Sequence, residues 1–275
     1  MAVFPSISTC LDAACQGARV AGVVILEVYQ TNFTVDRKQD QSPVTEADYQ
    51  SHKAIASYLA KTNLPILSEE AEIPTYDIRK DWEYFWLIDP LDGTKEFVRK
   101  TGNFAINIAL MHEGAPILGV MFLPTTGQMY YAIRNKGAFS LDKEGRKTPL
   151  RTTQKFTPEA QGLKIITSSH NYNNKTADFV KEFRNAEIMH MGSAVKLVRL
   201  AEGYVNLCPR FGTTMEWDTA APQIIIEEAG GQLIDFEHKK PLIYNKPQLE
   251  NPDFLAIDCK YWEQGIENWE LKIMH

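Results

Sequence analysis

Cysteine is scarce in this 275-residue chain: Cys10, Cys15, Cys208 and Cys259 form no CxxC pair and no zinc-type spacing. Thiols so few and so dispersed exclude a disulfide scaffold and fit a reduced, cytoplasmic protein. Peripheral contact with an inner membrane stays open. A basic block is also missing. The net charge is −6, which argues against a nucleic-acid partner. It leaves room for a small phosphorylated ligand, because a metal can supply the positive charge. The start, Met1-Ala2-Val3-Phe4-Pro5, lacks a basic n-region and a following apolar run, so no signal peptide is read there. The apolar run Ala21 to Val28 is too short to cross a bilayer, and no integral membrane segment is expected. Repeats and low-complexity stretches are absent. With 44% hydrophobic residues, the chain can bury a sizeable core. Nothing in the pattern fixes an oligomeric state.

What is there begins with a helix over residues 6–29, where Ile7, Leu11, Ala14, Ala18, Ala21, Ile25 and Val28 recur at helical spacing. Thr31 to Ser42 reads as a loop or short hairpin. A second helix starts at Thr45, with Asp48 in a loose capping box and Asp48, His52, Ile55 and Leu59 on its inward face. Asp48 has two readings, a capping carboxylate and a carboxylate aimed at a site. His52 reads as a satisfied, partly buried histidine. Leu64 to Leu67 is a short strand running into Ser68-Glu69-Glu70, and Ala71 to Asp81 a surface loop. Tyr84 to Ile88 is a buried strand ending in Asp89, because Pro90 cannot donate to a ladder. Asp92-Gly93 marks a turn, and Thr94 is placed to cap the short helix Lys95 to Arg99.

From Phe104 the pattern becomes an antiparallel meander, Phe104–Met111, Ala115–Leu123 and Gln128–Ile133, closed by a charged turn at Asp142 to Thr148. The second half alternates. Strands are expected at Leu163–Thr167, Ile188–Met191, Tyr204–Leu207, Gln232–Asp235 and Leu255–Ile257. Helices are expected at Lys175–Phe183, Val195–Gly203 and Thr219–Ala229. That order predicts a partly parallel sheet.

Glu69, Asp89, Asp92 and Asp218 follow strands or open a helix, with no histidine or cysteine at ligand spacing. An all-oxygen set selects a hard cation, Mg²⁺ above Zn²⁺. Two such ions about 4 Å apart can hold the attacking and leaving oxygens of a phosphoryl transfer. The amides of Gly93 and Thr94, at a helix start, suit a phosphate. Leu87 to Thr94 superficially matches the Asp-x-Asp-Gly-Thr nucleophile motif of haloacid-dehalogenase phosphatases. Pro90 stands at the nucleophile position, though, and leaves water as the attacker. No EF-hand loop is present.

Pro43 to Asp48, Ser68-Glu69-Glu70, Asp89-Pro90-Leu91-Asp92-Gly93-Thr94 and Trp217 to Ala221 running on to Gly231 together resemble the ordered motif set of the inositol monophosphatase superfamily. The resemblance spans about residues 5 to 260 and departs at Ser68, where the family has Gly. It implies a layered αβαβα sandwich, α/β (α+β), of the inositol monophosphatase/fructose-1,6-bisphosphatase type. It also implies lithium-sensitive, Mg²⁺-dependent phosphatase activity using two or three ions. Glu69, Asp89, Asp92, Asp218 and the Leu91 carbonyl would bind metal. Asp48 and Thr94 would activate water, with Glu69 assisting. Residues 1–149 would form an N-terminal α+β subdomain with the metal motifs, and 150–275 a C-terminal α/β subdomain with the substrate residues.

Within the superfamily, the stretches at Gly192 to Lys196, Pro209 to Thr213 and Glu216 to Ala221 resemble the bacterial 3′(2′),5′-bisphosphate nucleotidase branch. That branch converts adenosine 3′,5′-bisphosphate, a by-product of sulfate assimilation, to AMP and phosphate. Arg210-Phe211 stands where the inositol branch places an acid, and a cation and an aromatic suit a substrate with a second phosphate and a base. Gly93, Thr94, Ser193, Lys196, Arg210 and Asp218 are then the substrate residues, with Ser168 and His170 as weaker ones. An inositol or sugar phosphatase and an inactive nucleotide-binding regulator stay open as alternatives.

Overall fold

In the computed structural model, residues 4–38, 43–153 and 162–258 are described. Cys259 and residues 39–42 of the first loop lie outside them. The first helix, α1 (Ile7–Tyr29), starts at Ser6, whose hydroxyl accepts from the Thr9 N–H. By length and composition this 23-residue helix could cross a membrane, although the run Ala21 to Val28 within it is too short. Cys10, Ala14, Ala18, Ala21 and Ile25 on its inner face are instead wholly buried, against α2 and a sheet. The loop after α1 contains a two-stranded ribbon, β1 (Asp36–Arg37) with β2 (Pro43–Val44). Helix α2 (Glu46–Leu59) follows, and then β3 (Ile66–Ser68).

The stretch expected as a surface loop contains a helical turn, α3 (Tyr76–Arg79). Its Arg79 is buried and donates to Asn245 Oδ1 at 2.7 Å and Pro247 O at 2.9 Å. Partners that far along the chain leave no local trace. Strand β4 (Tyr84–Asp92) runs through Pro90 instead of stopping there. The ladder is irregular at that point: Asp89 pairs with Asn107 and Asp92 with Ala105. Pro90 therefore sits in a bulge, where no donor is required. Helix α4 (Thr94–Val98) follows. The meander comes next, β5 (Ala105–His112), β6 (Ala115–Leu123), β7 (Gln128–Ile133) and β8 (Ala138–Leu141). The charged turn is shorter than expected, because Lys147–Pro149 pairs back as β9.

The second half gives β10 (Lys164–Ser168), α5 (Asn174–Lys181), β11 (Glu187–Met191), α6 (Val195–Ala201), β12 (Leu207–Arg210), α7 (Glu216–Ala229), β13 (Gln232–Asp235) and β14 (Phe254–Ile257). Strand β12 begins where the expected Tyr204–Leu207 strand ends. Pro209 is tolerated in it because β10 pairs only at Leu207, and beyond that point the ladder is with β14 alone.

Seven strands in the order β3-β4-β5-β6-β7-β8-β9 form one sheet, antiparallel except for β3 with β4. Five in the order β11-β10-β12-β14-β13 form the other, with β10 parallel to both neighbours. Strand β5 shows how the layers close. Ile106, Ile108 and Leu110 face α1 and α2, while Ala105, Ala109 and Met111 face α6 and α7, the alternation a doubly covered strand requires. Phe179 and Val180 of α5, with Phe183 just past it, cover Ile165, Leu207 and Leu255 on the outer face of the second sheet, and Phe211 is buried in the same cluster, not left free for a nucleotide base. The stack is helix, sheet, helix, sheet, helix.

Candidate active site

The edges where β3, β4, α4, α6 and α7 meet enclose a cleft of about 250 Å³. Its floor is acidic. Glu69, Asp89 and Asp218 each bring a carboxylate oxygen within 4.8 Å of the others. Asp89 and Asp92 are three residues apart on one strand, a spacing that regular alternation sends to opposite faces. The bulge between them turns both into the cleft. Asp92 is occupied differently from the other three. Its Oδ2 accepts from the Ser193 hydroxyl and the Ala194 N–H, which ties the first sheet to the start of α6.

Two of the site's acids are also helix caps. Asp48 Oδ2 accepts from the Thr45 N–H at 2.8 Å and the Thr45 hydroxyl at 2.7 Å. Its Oδ1 accepts from Thr94 Oγ1 at 3.1 Å. The capping and site-directed readings of Asp48 therefore hold together, one per oxygen. Helix α7 starts three residues earlier than the sequence pattern implied, which makes Asp218 its third residue, and Asp218 Oδ2 accepts from the Met215 N–H at 2.9 Å. Thr94 does not cap α4. Gly93 holds that position at φ +93° with no side-chain bond, and the Thr94 hydroxyl turns to Asp48 instead. A Cβ on Gly93 would be strained at that φ and would lie 2.9 Å from Ser193 Cβ.

Burial pushes the acids up, and their mutual repulsion adds to it. Asp89 is raised well above 3.8 by burial and then by Glu69, Asp92 and Asp218. Asp218 is raised to about 8 by burial, then by Asp92 and Glu69. Burial likewise raises Glu69, against the pull of Lys38. A close, buried, all-oxygen acidic set is what a hard divalent cation relieves, so the residues present fit Mg²⁺.

The opposite wall is cationic. Lys196 and Arg210 are 8% and 5% exposed, and burial lowers both. Lys196 is thus no solvated helix residue; its Nζ donates to Ser193 O at 2.7 Å. Arg210 Nη2 donates to Thr213 O at 2.7 Å, while its Nε and Nη1 have no partner among the described residues. Ser168 and His170 line the same cleft. Ser168 Oγ accepts from the N–H groups of His170 and Asn171. Ser68 is accommodated by His52, whose Nδ1 lies 2.8 Å from the Ser68 hydroxyl. Lys38 gave no signal in its irregular stretch, yet its Nζ bridges Glu69 at 2.7 Å and Glu70 at 2.5 Å.

The inositol monophosphatase family model matches residues 6–263. The chain is 36% identical to the 3′(2′),5′-bisphosphate nucleotidase CysQ of Salmonella typhimurium, over 89% of its own length and 98% of that protein's. The CysQ structure from Bacteroides thetaiotaomicron superposes with a TM-score of 0.81 at 31% identity, covering 92% of this chain and 98% of that one. An IMPase/NADP phosphatase structure, described as complexed with Mg²⁺ and phosphate, shares the fold at TM-score 0.72 and 20% identity, covering 93% of this chain and 90% of that one. Motif order, layer order and these matches agree, and the chain belongs to the inositol monophosphatase family.

Proposed function

We propose that the chain hydrolyses the 3′-phosphate of adenosine 3′,5′-bisphosphate, releasing AMP and phosphate, in the cytoplasm. The observation that carries this reading is Arg210, a buried guanidinium with two nitrogens unpartnered among the described residues on the cleft wall that also holds Lys196. A monophosphate of inositol brings one phosphate, which the acidic floor with its cations accounts for. A buried cationic pair beyond that floor suits a second phosphate. The relatives named CysQ support the same choice.

In this reading residues 1–149 supply most of the metal site and 150–275 most of the substrate contacts. Glu69, Asp89, Asp92, Asp218 and the Leu91 carbonyl would hold two or three Mg²⁺, which would polarise the phosphate and acidify the attacking water. The chain's own part is proton handling and orientation. Thr94 donates to Asp48, so its oxygen is free to accept from water, and Asp48 is the proton's destination. Glu69 assists by holding its cation. The amides of Gly93 and Thr94 face the phosphate being removed. Ser193, Lys196 and Arg210, with the Asp218 carboxylate, receive the rest of the nucleotide, and Ser168 and His170 line that end.

The test is phosphate release with Mg²⁺ from adenosine 3′,5′-bisphosphate, inositol 1-phosphate and glycerol 2-phosphate. The bisphosphate is expected to give the highest kcat/KM. Preference for inositol 1-phosphate would move the chain to the inositol branch, and no release from any of them would leave a binding protein.

A further inference from the structure

Glu96 is a buried carboxylate, 4% exposed, that belongs to neither the acidic floor nor the cationic wall. It lies in the first turn of α4, the helix that opens with Thr94. Its Oε1 accepts from His170 Nε2 at 2.5 Å and from the Ser169 hydroxyl at 3.2 Å. Its Oε2 accepts from Thr101 Oγ1 at 2.5 Å. The backbone beside it is bare, since a Cβ on Gly192 would collide with the carboxylate. Three residues further along, at the C-cap of α4, Arg99 Nη1 stands 3.0 Å from His170 Nδ1.

The two partners of the His170 ring have fixed roles. An ionised carboxylate only accepts and a guanidinium only donates. The ring proton therefore sits on Nε2, and Nδ1 accepts from Arg99. Both nitrogens are used, so His170 has neither one left for a ligand and presents only its ring to the cleft it lines.

We infer that Glu96 and Arg99 are positioning residues: they clamp the His170 ring as one wall of the substrate cleft and lock that wall to the helix carrying Thr94. The clamp acts on recognition of the part of the substrate beyond the scissile phosphate, and it rests on the nucleotide reading of the cleft. It joins the two sheets through side chains of α4 and its C-cap and of the segment after β10, so the binding wall and the proton-handling residue move as one body.

The test uses the whole chain with Mg²⁺ and compares KM with kcat. Glu96→Ala and Arg99→Met should each raise KM for adenosine 3′,5′-bisphosphate about 5-fold, the worth of one hydrogen bond. In both, kcat and the KM for glycerol 2-phosphate should stay within about 2-fold of the unmodified chain. Glu96→Gln keeps an acceptor for Nε2 and should rescue KM. By NMR, His170 should show a slowly exchanging Nε2 proton that Glu96→Ala loses and Glu96→Gln retains. If Glu96→Ala does not fold, the exposed Arg99→Met carries the kinetic comparison.

An equal rise in KM for both substrates would make the clamp merely structural and overturn the inference. So would unchanged KM in both variants of a chain that prefers the nucleotide. Preference of the unmodified chain for glycerol 2-phosphate would overturn the substrate assignment instead, so the two readings fail separately.

Discussion

On one side of the cleft Glu69, Asp89 and Asp218 crowd three carboxylates together, and on the other Lys196 and Arg210 bury two cations. Burial displaces the two walls in opposite directions, the acids upward and the bases downward. The acids also raise one another. The cations are eased by the floor, since Asp92 and Asp218 both favour the charged form of Lys196. Each wall is thus a strained half that a ligand of opposite charge relaxes, a divalent cation for the floor and a phosphate for the wall. A metal–phosphate pair complements both at once.

The largest break in this symmetry is Asp89→Asn. Activity should fall on the order of 10³-fold, comparable to losing a main electrostatic element of a site. With a chelator present, the variant should melt above the parent, because one of the mutually repelling charges is gone. A chelated variant that melts below the parent would show that repulsion is not what strains the floor.

Arg210→Met tests the other wall. KM for the bisphosphate should rise roughly 10- to 100-fold, the range for a charged hydrogen-bonding partner, with glycerol 2-phosphate little affected. The gain in melting temperature on adding Mg²⁺ should match the parent's, since that belongs to the floor.

The smallest effect is on pH dependence. Asp218 goes from 3.8 to about 8 on folding, and Asp89 moves the same way. A carboxyl raised in the folded state contributes stability that is complete below its unfolded pKa and is lost as pH rises through the folded one. The chelated chain should therefore melt several degrees higher near pH 5 than near pH 8, because across that window the folded carboxyl keeps a proton that the unfolded one has lost. Saturating Mg²⁺ should flatten that slope. A chelated chain stabilised on going from pH 5 to 8 would reverse the assignment of these groups.

The floor was more legible than the wall for a physical reason. Asp48 and Glu69 sit where a helix begins or a strand ends, and Asp89 sits beside the bulge at Pro90, and those places carry local capping, turn and proline signals. Arg210 lies beyond the expected strand and Lys196 on an expected helix, and only the resemblance makes them substrate residues; what removes them from water is the packing of distant segments. Long-range partners also hid α3, held through Arg79 to Asn245 and Pro247, and Lys38, bridged to Glu69 and Glu70. Proline misled once: Pro90 argued for the end of a strand, yet it occupies a bulge where the ladder asks nothing of its nitrogen.

The extra residue in β4 between Asp89 and Asp92 has a consequence for how this site can be lost. Two acids three positions apart share a cleft only because their ladder partners, Asn107 and Ala105, are two apart. Chain length is therefore as much a parameter of the site as residue identity. Removing one residue between the two aspartates would leave every ligand type in place, restore an even ladder, and misaim one carboxylate. A lineage can exchange side chains around this bulge and keep the chemistry, but it cannot change the count.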